Sequence, residues 1–131
     1  MTKLPGSGRR ILVVDDEEGI VTPIVRYFRG LGCWVDAARE SEEAEALVRD
    51  LRYDLVILDL RLTRLADADG LDVLREIRKR DDKTSVIVLS AYVSPEMEEE
   101  AHRSGADAVL RKPQRLPDLA QLAFALTERR S

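Results

Sequence analysis

The chain has 131 residues, 44% of them hydrophobic and 35% charged, with 21 basic against 25 acidic side chains and one cysteine. That length is one domain's worth, enough to bury a core and too little for a second catalytic or DNA-binding domain beside it. A net charge of -4 gives no pull toward phosphate backbones or anionic lipid. No direct nucleic-acid partner and no membrane are therefore expected. The lone Cys33 cannot form an internal disulfide, and no apolar run approaches the ~18 residues of a membrane span, which points to a cytoplasmic location.

In chain order, the opening MTKLPGSG is rich in turn formers and reads as a disordered lead-in over 1–8, with a single domain over 9–131. Arg10 to Val14 (RILVV) is a nearly unbroken apolar run ended by acids, the pattern of a strand buried on both faces of a parallel sheet. Similar runs recur at Trp34 to Ala38, Asp54 to Leu58, Ser85 to Leu89 and Ala108 to Leu110.

Helix-period segments separate them. Ile20, Ile24, Phe28 and Leu31 share one face, and Gly32 stands where a left-handed cap closes a helix. Pro23 leaves two forms open: a shorter helix capped by Thr22, or a longer one kinked at the proline. Ser41 is the expected N-cap of the second helix, followed by Glu42 and Glu43 at the positive end of its dipole. The third helix starts near Gly70, the fourth runs from Ser94 and Pro95 to Ser104, and the fifth from Leu116 to Arg129. Five strands alternating with five helices fold, by the right-handed crossover rule, into an α/β doubly wound five-stranded parallel sheet.

Open sheets of this kind bind ligands at the carboxyl ends of their strands. There the chain places Asp15, Asp16, Glu17 and Glu18 after the first strand, Asp59 after the third, Ser90 after the fourth and Lys112 after the fifth. Each has a plain reading by itself: acids at a helix start, a turn aspartate, a serine cap, an exposed lysine. Together they make a different statement. Three carboxylates within a few ångströms repel one another unless a cation neutralises them, and a hard divalent ion such as Mg2+ suits oxygen ligands. A lysine ammonium and a hydroxyl beside that ion are groups for holding a phosphoryl group.

The segments ILVVDDEE, YDLVILDL, VIVLSA and GADAVLRKP, in that order, resemble the signature regions of the receiver domain of two-component response regulators, a flavodoxin-like (βα)5 module typified by the chemotaxis regulator. The resemblance covers residues 9 to 130 and implies strand order 2-1-3-4-5. It implies Asp59 as phospho-acceptor, taking a phosphoryl group from a sensor histidine kinase or histidine phosphotransfer protein. It implies Asp15, Asp16, Asp59 and the backbone carbonyl of Arg61 as Mg2+ ligands. Lys112 would pair with a phosphoryl oxygen, Ser90 would hydrogen-bond another, and the Lys112–Pro113 bond would be cis. The expected function is a stand-alone phosphorylation-controlled binding module that signals to a downstream protein target and is not a turnover enzyme. Excision from a multidomain regulator or hybrid kinase is the alternative. A haloacid-dehalogenase-like Mg2+-dependent phosphatase needs an acid two positions after Asp59, where Arg61 stands.

Three departures from the family's pattern carry information. Gly70 falls eleven positions after Asp59, three more than usual, and Thr63 stands where a proline is expected. Val109 stands where the family has a rotating Tyr or Phe. Arg61 and Tyr92 occupy positions that flank the phosphoryl group and govern the approach of water, so they are expected to modulate its lifetime.

Overall fold

The computed structural model describes residues 4–61, 70–81 and 83–130. The chain alternates strand and helix throughout: β1 (Arg10–Val14), α1 (Glu18–Gly30), β2 (Trp34–Ala38), α2 (Ser41–Asp50), β3 (Leu55–Leu58), α3 (Gly70–Arg80), β4 (Ser85–Ser90), α4 (Pro95–Arg103), β5 (Ala108–Arg111) and α5 (Leu116–Arg130). All strand pairs are parallel and their order is β2-β1-β3-β4-β5. The expected flavodoxin-like arrangement is what the chain adopts.

The strands read as unbroken apolar runs because both faces of the sheet are covered. Leu12, Val14, Val56, Leu58, Val86 and Val88 point into one core with Ala44, Leu74, Ile77 and Ala101. Ile11, Val13, Leu55, Ile57, Ile87 and Leu89 point into the other, with Ile24, Phe28, Leu119 and Ala123. Period-two alternation thus sends neighbouring residues of one strand to opposite helix layers.

Local points left open are settled and some expectations are corrected. Helix α1 takes the longer form with Pro23 in its interior. The carbonyl that Pro23 leaves without its helical donor belongs to Gly19, and both residues are exposed, where solvent is within reach. The helix ends as expected: Gly32 adopts φ +95°, and the N–H groups of Gly32 and Cys33 donate to Arg29 O (3.0 Å) and Phe28 O (3.1 Å), a Schellman closure. Ser41 is the first residue of α2; Glu40 holds the cap position and makes no side-chain capping bond. Ser90 is the last residue of β4 and Arg111 the last of β5, each strand running further than its apolar run.

Of the lead-in expected to be disordered, residues 4–8 form a turn packed on the end of α1. Gly6 N–H donates to Leu31 O at 2.7 Å. Arg9 then reaches α5, donating to Thr127 Oγ1 at 2.8 Å and lying 5.1 Å over the Phe124 ring. The altered loop that includes Thr63 falls in 62–69, outside the described residues.

The start of α3 passes very close to the exit of β3. Gly70 N–H donates to Leu60 O at 2.9 Å, and a Cβ on Gly70 would stand 2.3 Å from Asp59 O and 2.7 Å from Leu60 Cα. Those are backbone atoms, so no side-chain rotation relieves the overlap. Gly70→Ala is expected to lose about 1–3 kcal/mol of stability through this overpacking. Urea unfolding measures it, and a midpoint equal to wild type would contradict the contact.

Candidate functional site

The carboxyl ends of β1, β3, β4 and β5 bring the predicted residues to one rim. Asp15 and Asp59 are buried there, 3% and 6% exposed, while Asp16 is exposed. Backbone pairing sets them side by side, because Asp59 N–H donates to Val14 O at 2.9 Å and Asp15 N–H to Ala38 O at 3.0 Å. Lys112, carried in by the end of β5, places Nζ 2.7 Å from Asp15 Oδ2, 3.0 Å from Asp59 Oδ2 and 3.1 Å from Glu17 Oε1. The Lys112–Pro113 peptide bond is cis.

Ser90 completes the shell around Asp59. Its hydroxyl donates to Asp59 Oδ1 at 2.6 Å and accepts from Leu60 N–H at 3.1 Å. Arg61 N–H donates to the same Oδ1 at 3.2 Å. Both Asp59 oxygens therefore sit among donors, Oδ1 toward β4 and Oδ2 toward Lys112. A cavity of about 550 Å³ opens onto them, lined by Asp16, Glu17, Asp59, Arg61, Ser90, Ala91 and Tyr92. Tyr92 is 66% exposed at its wall. Val109 lies away from this cavity, partly buried against the core that holds Val86 and Val88.

Four carboxylates, of Asp15, Asp16, Glu17 and Asp59, can each place an oxygen within 4.8 Å of the others. One ammonium is shared among three of them. Burial is the largest influence on Asp15 and holds its carboxyl above the ordinary 3.8, against hydrogen bonds from Lys112 and Glu17 N–H. Burial acts to lower Lys112, yet its bonds to Asp15 and Asp59 and their charges outweigh it and hold the ammonium above its ordinary range. The lysine gains from two buried acids at once.

Glu17 is the participant that the residue types alone did not single out. It sits in the acidic run after β1, just before α1, where a helix-start role explains it equally well. Glu18, its neighbour, faces elsewhere and pairs with Arg39.

The chain matches the family model described as response regulator receiver domain over residues 11–124. The chain belongs to the response regulator receiver family. This receiver is 36% identical to the response regulator MprA of a Mycobacterium species, over 93% of the chain and 52% of that protein. Its fold is similar to a receiver domain protein from Methanospirillum hungatei, with TM-score 0.85 and 25% identity over 93% of this chain and 95% of the other. A Francisella response regulator receiver domain superposes with TM-score 0.81 at 31% identity, covering 95% of this chain and all of the other. The chain spans about half the length of the curated relatives it matches. Among the described residues no helix is long and apolar enough to cross a membrane.

The burial of Asp15 gives a pH test. A carboxyl whose folded pKa is raised contributes stability below its unfolded value, near 3.8, and loses it as pH rises through the folded value. Asp15→Asn removes that loss. Without divalent cation, the stability of Asp15→Asn relative to wild type is expected to improve from acid to neutral pH in urea unfolding; a relative stability that falls over that window would contradict it.

Proposed function

We propose that this receiver takes a phosphoryl group onto Asp59 from the phosphohistidine of a kinase or histidine phosphotransfer protein, with Mg2+, and thereby switches a protein-binding surface in the cytoplasm. The observation that carries the reading is the set of opposed contacts on Asp59: Ser90 Oγ on Oδ1 at 2.6 Å and Lys112 Nζ on Oδ2 at 3.0 Å. A carboxylate that must be oriented, and whose charge must be met again after it becomes an acyl phosphate, needs both.

In the transfer, an Asp59 oxygen attacks phosphorus and the phosphorus–nitrogen bond to histidine breaks, its electron pair staying on the imidazole, which takes up a proton. The carboxylate loses its charge in forming the O–P bond, the proton taken up by the imidazole balances it, and the phosphoryl oxygens arrive carrying their own negative charge. Lys112, fixed by buried Asp15, is positioned to pair with one of those oxygens, and Ser90 to donate to another by turning from Oδ1. Asp15, Asp16 and Asp59 with the Arg61 carbonyl are the proposed Mg2+ ligands. Their donor set of clustered hard oxygens short of positive charge fits that ion. Bound there, it supplies charge neutralisation for the transferring group.

Because Ser90 Oγ also accepts from Leu60 N–H, its movement releases the N–H of the residue after Asp59 from the Ser90 side chain. With Val109 in place of an aromatic ring, the signal passes through the fourth-helix face by backbone and Ser90 movement, or with exposed Tyr92 as the mobile ring. The same chemistry serves the domain as a separate chain or as part of a longer regulator. Arg61, an arginine at the position where a dehalogenase-like phosphatase has its acid, argues against steady turnover.

Incubation with acetyl phosphate and Mg2+ is expected to add one phosphoryl unit by intact mass, with none on Asp59→Asn and transfer slowed by about 10²-fold in Lys112→Ala. A wild type that gains none from either a small donor or a cognate kinase would falsify the reading. Arg61 and Tyr92 wall the cavity through which water reaches the phosphoryl group. The double variant Arg61→Ala with Tyr92→Ala is expected to lose phosphate faster than wild type; equal decay rates would sink that role.

A further inference from the structure

An ammonium has three N–H donors, and Lys112 has three carboxylate oxygens against it: Asp15 Oδ2 at 2.7 Å, Asp59 Oδ2 at 3.0 Å and Glu17 Oε1 at 3.1 Å. Glu17 and Asp59 accept hydrogen bonds from the ammonium, and Asp15 is ion-paired with it. A phosphoryl group brought to Asp59 carries oxygens that require the same lysine while Asp59 is still ionised, so one carboxylate has to yield.

Asp15 is poorly suited to leave. It is buried, and its second oxygen, Oδ1, accepts from Glu17 N–H at 2.9 Å, so displacing it would strip a buried charge of its partners. Asp59 is the attachment point itself. Glu17 differs in each respect. Its side chain is 59% exposed, and Lys112 is the partner of its carboxylate among the described residues. It occupies the cap position of α1 with extended backbone (φ -92°, ψ 110°) yet makes no side-chain capping bond, so the helix does not hold it either. Rotation into solvent costs it one partly exposed ion pair. It also lines the cavity that opens on Asp59, where its charge opposes an anionic donor.

We propose that Glu17 is a latch on Lys112: in the resting domain its carboxylate occupies the N–H that a phosphoryl oxygen takes, and it swings out when the phosphoryl group arrives. Glu17 is thus a positioning residue that acts through Lys112 and sets how much donor the domain needs. This inference rests on the reading of Asp59 as acceptor. A cation-ligand role for Glu17, the fourth carboxylate of the cluster, is the competing assignment.

The test uses the whole chain, isotopically labelled, as wild type and Glu17→Gln. Without divalent cation, the Lys112 side-chain NMR resonances are expected to shift in the variant, because one of three acceptors has lost its charge. With acetyl phosphate and Mg2+, the donor concentration for half-maximal phosphorylation rate is expected to fall about two- to five-fold, the scale of one partly exposed ion pair, with the maximal rate and the Mg2+ requirement unchanged. Unmoved Lys112 resonances overturn the latch, whether or not the chain accepts phosphate. A higher Mg2+ requirement with slower transfer overturns it in favour of a cation ligand. Shifted resonances in a wild type that never gains a phosphoryl unit leave the Glu17–Lys112 contact standing and overturn the acceptor reading together with the latch's role in it.

Discussion

The Lys112 ammonium lies 2.7 Å from Asp15 and 3.0 Å from Asp59, two carboxylates that the fold has removed from water. Taking ionised groups out of water costs several kcal/mol each, so such a cluster survives only where the backbone forces it and a counter-charge meets it. Here the forcing is topological. A parallel sheet delivers all its strand ends to one rim, and order β2-β1-β3-β4-β5 puts the ends of β1 and β3 side by side at its centre. Lysine arrives from the far edge, its aliphatic stem spanning the gap. The rest of the site follows: Ser90 satisfies the second face of Asp59, and Glu17 crowds the lysine.

The cost is carried by the two apolar layers. Residues of opposite parity on β1, β3 and β4 are almost wholly buried on opposite faces, so the sheet is held from both sides and its ends keep their spacing. Close approaches serve the same purpose. Gly70 brings α3 down onto the backbone of Asp59, and the Arg78 guanidinium donates to Thr84 O at 2.6 Å and Gly105 O at 2.7 Å, fastening the end of α3 to the start of β4 and the end of α4. A site whose charges resist being together depends on such rigid support.

Much of this was legible in the residues. Strands buried on both faces announce themselves as runs such as RILVV and SVIVL, and a polar group directly after such a run has only the rim to occupy. That is why Asp15, Asp59, Ser90 and Lys112 were readable. What escaped notice depends on side-chain geometry or on the balance of local costs. Pro23 breaks helices by removing one hydrogen bond, but where the orphaned carbonyl belongs to exposed Gly19, with solvent within reach, the cost is small and α1 runs through it. The Glu17–Lys112 pair joins residues 95 positions apart, and the acidic run DDEE does not say which of its members turns inward and which, like Glu18, pairs elsewhere. Ser41 resembles a cap as well as Glu40 resembles a surface acid; only the backbone direction entering α2 decides between them.

The central claim is that this rim holds more negative charge than Lys112 can meet, and that a divalent cation supplies the difference. Thermal unfolding followed across a Mg2+ titration tests it most directly, since an ion bound by the folded state alone raises the midpoint with concentration. The account predicts a saturating rise in wild type that is strongly reduced in Asp15→Asn and in Asp59→Asn. A midpoint indifferent to Mg2+, or one that rises equally in all three proteins, would contradict it.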